Sequence, residues 1–189
     1  MINNFLITGK PSIGKSYLVN SLINNLNLEV TGFKTLPYYI ENDMKGYCYH
    51  SIENLTNIKN DLPINIIYDK KNNIPIIDVF KTLGIQCLKN SLNSNKTIIL
   101  LDEIGRIERN CTEYIDLINS IFDSDKCVLA VLKKEKIDFI DKIKSRKDVL
   151  LLDLDNIEYE KAYSYLNKKI KEILQSWNYQ KKLLAQLWF

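Results

Sequence analysis

The chain has 189 residues, 46% of them hydrophobic and 26% charged, and a formal net charge of +3. That length suits one domain with a sizeable core, and the composition is that of a globular protein. The mild, scattered positive charge leaves no footprint for nucleic acid, and no apolar run approaches the length of a membrane span.

The first ten residues already reach a lysine-bearing loop, too soon for a signal peptide, so the expected compartment is the cytoplasm. Cys48, Cys87, Cys111 and Cys127 lie far apart with no C-x-x-C pair, which favours reduced thiols over a zinc site. His50 is the only histidine and reads as a surface or packing residue. The arginines are Arg106, Arg109 and Arg146 alone, a scarcity that bears on any chemistry of phosphates.

In chain order, Phe5-Leu6-Ile7-Thr8 is a short apolar run of the kind that makes a strand buried on both faces. Gly9-Lys10-Pro11-Ser12-Ile13-Gly14-Lys15-Ser16 follows and fits G-x-x-x-x-G-K-[ST], the phosphate-cradling P-loop. Leu18, Val19, Leu22, Ile23 and Leu26 then recur at helical spacing, so a helix begins near Gly14 and takes in Tyr17. Strand, glycine loop and helix together suit a triphosphate. Gly9 and Gly14 let the backbone aim successive N–H groups inward, and the helix N-terminus adds roughly half a positive charge. In that setting Lys15 sits on the β- and γ-phosphates and the Ser16 hydroxyl ligates Mg²⁺. The nucleotide-binding stretch is therefore Gly9 to Tyr17.

Leu28–Thr35 reads as a second strand with Gly32 near its middle. Aromatic runs at Tyr38–Ile40 and Gly46–Tyr49, separated by polar Glu41–Lys45, suggest a β-hairpin, either a sheet edge or a flap over the nucleotide. Residues 51–63 are polar and end in Pro63, a loop by default; Ile64–Tyr68 is a strand and Asp69–Asn73 a turn. Asp78–Asn90 carries the helical stripe Val79, Phe80, Leu83 and Cys87, and leads into the strand Thr97–Leu101. A helix with Tyr114, Ile115, Ile118, Ile121 and Phe122, the strand Cys127–Leu132, a short helix at Ile137–Lys144 and the strand Val149–Leu152 follow. Glu158–Leu174 is a long last helix with Tyr159, Ala162, Tyr163, Leu166 and Ile170 inward. Alternating apolar strands and helices imply an α/β fold, a mainly parallel sheet covered on both faces. Residues 1–175 make this domain. Residues 176–189 form an apolar tail with Trp177, Tyr179, Leu183, Leu184, Leu187, Trp188 and Phe189. The tail either packs on the domain or docks a partner or a second copy.

The strand ending at Leu101 presents Asp102-Glu103 at its C-terminal end, where an open parallel sheet binds ligands. An acid in that position matches a Walker B element: Asp102 holds Mg²⁺ with Ser16, and Glu103 suits orienting and partly deprotonating a water.

These stretches resemble the thermophile-type, or cancer-related, nucleoside-triphosphatase family of P-loop proteins over roughly residues 4–173. Ile7-Thr8-Gly9 to Lys15-Ser16 is similar to its I-T-G-x-P-G-x-G-K-[ST]. Gly32-Phe33-Lys34-Thr35 is similar to its G-F-x-T, Gly46-Tyr47 to a later G-F, and Asp102-Glu103-Ile104-Gly105-Arg106-Ile107-Glu108 to D-E-I-G-[KR]-M-E. The resemblance implies a RecA/AAA-like fold, slow hydrolysis of nucleoside triphosphates with broad base tolerance, and catalytic roles for Lys15 and Glu103. Arg106 takes the family's basic position, as a phosphate contact or a surface cation, while Glu108 reads as a helix-start residue. Two departures stand out: Tyr39 and Ile157 occupy positions where the family carries arginine. Lys133, Lys134 and Arg146 are the candidates to replace them.

The expected activity is Mg²⁺-dependent hydrolysis of ATP, GTP and other nucleoside triphosphates. The alternatives are a small-molecule or nucleotide kinase and a non-catalytic nucleotide switch acting through the tail. Few arginines and no arginine-rich lid weigh against the kinase.

Overall fold

The computed structural model describes residues 2–69 and 72–187, with side chains as far as Trp177. Nine strands are present among them: β1 (Asn4–Thr8), β2 (Val30–Ile40), β3 (Asp43–Ser51), β4 (Leu62–Pro63), β5 (Asn65–Ile67), β6 (Asn73–Pro75), β7 (Ile98–Ile104), β8 (Cys127–Leu132) and β9 (Val149–Asp153). Seven form one sheet in the order β4-β3-β2-β7-β8-β1-β9, while β5 and β6 pair separately as a small antiparallel ribbon. From β2 to β9 every pairing is parallel; β3 and β4 extend the sheet antiparallel at one side. The helices are α1 (Lys15–Asn25), α2 (Ile85–Asn93), α3 (Thr112–Phe122), α4 (Asp138–Lys144) and α5 (Tyr159–Leu187).

Strand periodicity divides the core into two layers. In β1, Phe5 and Ile7 point to one face and Leu6 to the other; β7 and β8 split the same way. On the first face Leu18, Val19 and Leu22 of α1 and Ala162, Leu166 and Ile170 of α5 close over the sheet. Opposite them lie Leu88 of α2, Ile118 and Phe122 of α3 and Ile140 and Ile143 of α4. Both faces being covered explains why these strands read as continuous apolar runs rather than alternating ones. The expected α/β sheet with an antiparallel hairpin is the architecture observed.

The hairpin turns at Glu41 and Asn42, both with positive φ (50° and 68°), a two-residue turn whose twist matches that of its strands. β2 is one strand from Val30 to Ile40, and Pro37 is tolerated in it because β7 pairs only as far as Lys34. Gly32 sits at φ 110°, and a Cβ there would lie 2.0 Å from the Leu100 carbonyl oxygen, so close approach of β2 to β7 requires glycine.

Some elements differ from expectation. Leu62–Pro63, inside the segment read as a loop, forms a two-residue strand against Cys48 and Tyr49. Periodicity cannot signal so short a pairing. The helix read over 78–90 includes a π-helical turn at Phe80–Gly84 before α2. β7 runs past Leu101 to Ile104, and α5 continues without interruption across the boundary drawn at residue 175. Trp177 packs on the α1/α5 layer; the remainder of the apolar tail's side chains fall outside the described residues. No described helix is long and apolar enough to cross a membrane. All four cysteines are free and buried, and His50 Nδ1 lies 2.6 Å from Asp61 Oδ1 near the surface.

Candidate active site

The P-loop joins β1 to α1 at the C-terminal edge of the parallel strands, so the loop, the end of β7 and the segment after β8 meet there. Gly14 adopts φ 101°, a left-handed conformation directly before α1, and the Leu18 N–H donates to its carbonyl at 2.8 Å. The loop is also held from behind. Lys10 N–H donates to Asp155 Oδ1 at 3.2 Å, and Lys134 Nζ lies 2.7 Å from both Asp153 Oδ2 and Asp155 Oδ2. Lys134 beside Asp155 keeps that carboxyl below its usual range.

A cleft of about 490 Å³ opens in front of the loop, walled by Gly9, Gly14, Lys15, Ser16, Asp102 and Glu103 among others. Pro11, Ser12, Tyr17 and Arg106 also face it, whereas Lys10 and Ile13 do not. Lys10 contributes its backbone, and Ile13 packs into the α1/α5 layer.

Lys15 Nζ donates to the carbonyls of Gly9 and Lys10, each at 3.1 Å, and lies 3.6 Å from Glu103 Oε1. The Ser16 hydroxyl donates to Asp102 Oδ1 at 2.9 Å. The Ser16–Asp102 and Lys15–Glu103 contacts bring together residues 86 or more positions apart in sequence. Asp102 and Glu103 are consecutive on β7, yet both reach the loop. The register against β8 slips here: Asp102 pairs with Val131 and Ile104 with Leu132, leaving Glu103 as an extra residue. An inserted residue of this kind re-aims a side chain. The Glu103 N–H donates to Thr35 Oγ1 on β2 at 3.2 Å, which fixes the turn of the chain.

Burial lifts Asp102 to about 6, opposed first by the Ser16 hydrogen bond. A cation beside this carboxylate would favour its ionised form. The donor set fits Mg²⁺: hydroxyl and carboxylate oxygens are hard ligands, and Mg²⁺ takes most of its shell from phosphate and water. Among the described residues no three His, Cys, Asp or Glu side chains cluster to cage a metal alone.

The cations around the cleft fall into two groups. Lys134, though in the cleft wall, is engaged by its aspartates, and Arg146 lies outside the cleft, held by Asp148, Asp123 and the Phe122 carbonyl. Lys133 and Arg106 line the cleft, and neither side chain makes a hydrogen bond or ion pair with the described residues. Lys133 lays its methylenes over Gly105, where an added Cβ would come within 2.7 Å of its Cδ. Tyr39 is exposed near the hairpin tip and Ile157 packs against the α1/α5 layer, so neither lines the cleft.

Sequence reasoning alone did not place Thr35, Tyr47, Ile64 and Asn65 in the wall. The Gly-Phe-Lys-Thr and Gly-Tyr segments carried a signal through the family resemblance; Ile64 and Asn65 carried none, because β3 and the β5 ribbon bring them in by tertiary pairing.

Glu108, read as a helix-start residue, opens a 3₁₀ turn (Ile107–Asn110) and is also buried in the cleft wall, where its Oε1 accepts the Gly105 N–H at 2.6 Å. Burial raises this carboxyl to about 7. A folded-state value above the ordinary 4.5 means the folded protein holds the proton more tightly than the unfolded chain. Stability from this group is present at low pH and is lost as pH rises through 7; Asp102 acts in the same sense up to about 6. Denaturant midpoints should therefore fall between pH 5 and 8, Glu108 accounting for about 2 kcal/mol of that loss. In Glu108→Gln most of this slope should vanish, and an unchanged slope would show that Glu108 ionises freely in the fold.

A family model described as NTPase matches residues 4–179. Nucleoside-triphosphatase THEP1 of Thermotoga maritima is 30% identical over 172 residues, covering 90% of this chain and 94% of that protein. The protein of the same name from Methanocaldococcus jannaschii is 26% identical over 171 residues, covering 87% and 95%. Among solved structures, THEP1 from Aquifex aeolicus aligns with a TM-score of 0.63 at 21% identity, over 86% of this chain and 98% of that one. A human cancer-related nucleoside triphosphatase aligns with a TM-score of 0.66 at 16% identity, over 92% and 98%. These two structures share the fold of this chain.

Proposed function

This chain belongs to the NTPase family, and we propose that it hydrolyses nucleoside 5′-triphosphates to diphosphate and phosphate, with Mg²⁺ bound and Glu103 activating the attacking water. The observation that supports this reading is the convergence of Lys15, Ser16, Asp102 and Glu103 on one cleft, with Ser16 bonded to Asp102 and Lys15 beside Glu103.

Ser16 and Asp102 would hold Mg²⁺, which supplies positive charge to the β- and γ-phosphate oxygens when bound. Lys15 turns its ammonium from the Gly9 and Lys10 carbonyls towards those phosphates, and the loop's N–H groups receive the remaining charge. Glu103 accepts a proton from the water as its oxygen bonds to the γ-phosphorus. The bond from that phosphorus to the β–γ bridging oxygen breaks, and the nucleoside diphosphate leaves with the electron pair. Arg106 and Lys133, cleft cations that make no hydrogen bond or ion pair among the described residues, face the charge on the transferring group and stand in for the arginines absent at Tyr39 and Ile157.

The test is phosphate release from ATP, GTP, CTP, UTP and their deoxy forms, with Mg²⁺ or with EDTA, and with nucleoside and nucleotide acceptors added. Release that requires the metal and is indifferent to acceptors is the expected result. Label arriving on an acceptor faster than on water would make the protein a kinase, and hydrolysis untouched by EDTA would remove the metal.

A further inference from the structure

We propose that Tyr17 is the stacking platform for the nucleobase, recognising the flat face common to all bases; this rests on the nucleotide-binding reading of the cleft. Tyr17 directly follows Ser16, lines the same cleft as the P-loop, and leaves 69% of its surface exposed. An aromatic ring left this open lies directly beside the phosphate cradle.

Its orientation is nonetheless supported. The Tyr17 ring sits against Tyr159 with centroids 5.7 Å apart and planes inclined by 36°. Tyr159 in turn stacks on Tyr163 at 6.5 Å and 15°, and its hydroxyl lies 3.4 Å from Ser21 Oγ on α1. Tyr159 and Tyr163 pack on the α1/α5 layer, so the ladder has one anchored end and one free end, and Tyr17 is the free one.

Polarity along the cleft fits the assignment. Glu103 marks where the γ-phosphate is attacked, on β7. Tyr159 begins α5, which follows β9, and β9 lies across β1 from β7. A nucleotide with its γ-phosphate at Glu103 therefore extends its nucleoside towards Tyr17. The P-loop residues that line the cleft beside Tyr17, Gly9, Pro11, Ser12, Gly14, Lys15 and Ser16, offer no amide or carboxyl side chain to read a base edge. Stacking remains, and it is tolerant of sequence because every base has a π-face.

The experiment compares equilibrium binding of ATP, GTP, CTP and UTP with that of inorganic triphosphate, which has no base, in unaltered protein, Tyr17→Ala and Tyr17→Phe. Stacking of this kind predicts that the ratio of nucleotide to inorganic triphosphate affinity falls about 10- to 50-fold in Tyr17→Ala for all four nucleotides. Tyr17→Phe should restore the ratio. An unchanged ratio, or a loss confined to one base, overturns the assignment, as does a failure of phenylalanine to rescue. If the unaltered protein took up inorganic triphosphate and nucleotides equally well, the base would have no platform at all, whereas uptake of neither would bring down the reading of the cleft itself.

Discussion

Glu103→Gln should lower turnover by about 10²- to 10⁴-fold while nucleotide remains bound, the range expected when a positioned general base is neutralised. The substitution keeps the shape of the side chain and leaves the Glu103 backbone N–H on Thr35, so the end of β7 has no reason to move. What disappears is the proton acceptor and the 3.6 Å ion pair with the nearly buried Lys15, whose ammonium keeps its bonds to the Gly9 and Lys10 carbonyls. Removing a negative charge from the cleft also eases the approach of a triphosphate. Affinity should hold steady or rise, and the whole effect should fall on kcat. Stopped-flow binding alongside phosphate release separates the two. Turnover within a few-fold of the unaltered enzyme would remove Glu103 from the mechanism, and equal losses in binding and turnover would recast it as a structural residue.

The parts of this site that were legible in the sequence are those the chain writes contiguously. Gly9 to Ser16 must be consecutive because one loop wraps one group of phosphates, and Asp102-Glu103 must end an apolar run because a buried strand delivers them. Other features depend on register, which periodicity does not carry. Lys133 and Lys134 are adjacent basic residues after β8, alike on paper. In the fold Lys133 lies over Gly105 in the cleft wall, and Lys134 is drawn back to Asp153 and Asp155. Arg146, equally eligible by charge, is held by Asp148 and Asp123. The reach of Glu103 to the loop, which alternation along a strand argues against, follows from the slip between Asp102 and Ile104. The neighbours of Glu108 in sequence point only to a helix start, and its burial beneath the Gly105 N–H depends on the packed structure. Leu62–Pro63 and the β5 ribbon depend on partners distant in sequence, so no local pattern announces them.

The cleft also weighs the alternatives to hydrolysis. A kinase must exclude water from an activated phosphoryl group, and the cations at the wall that lack an ion pair among the described residues, Arg106 and Lys133, are too few to make a basic lid. A nucleotide switch without chemistry would have no use for the Glu103 carboxylate beside Asp102, the acid proposed to hold the metal.

Lys15→Ala carries the account's central claim, that a triphosphate settles among the amides of the loop with the Lys15 ammonium on its β- and γ-oxygens. Lys15 is almost fully buried, and its ammonium now donates to two loop carbonyls. Those bonds are within one short loop, so truncation should leave the fold standing, which a thermal melt checks. Two charge-assisted hydrogen bonds to phosphate are worth about 3–6 kcal/mol together, which corresponds to roughly 10²- to 10⁴-fold in affinity. The decisive measurement is equilibrium binding of labelled ATP in Mg²⁺ by folded Lys15→Ala against the unaltered chain. A loss of about 100-fold or more is the outcome this account requires; equal affinity would mean that phosphate is not bound at this loop.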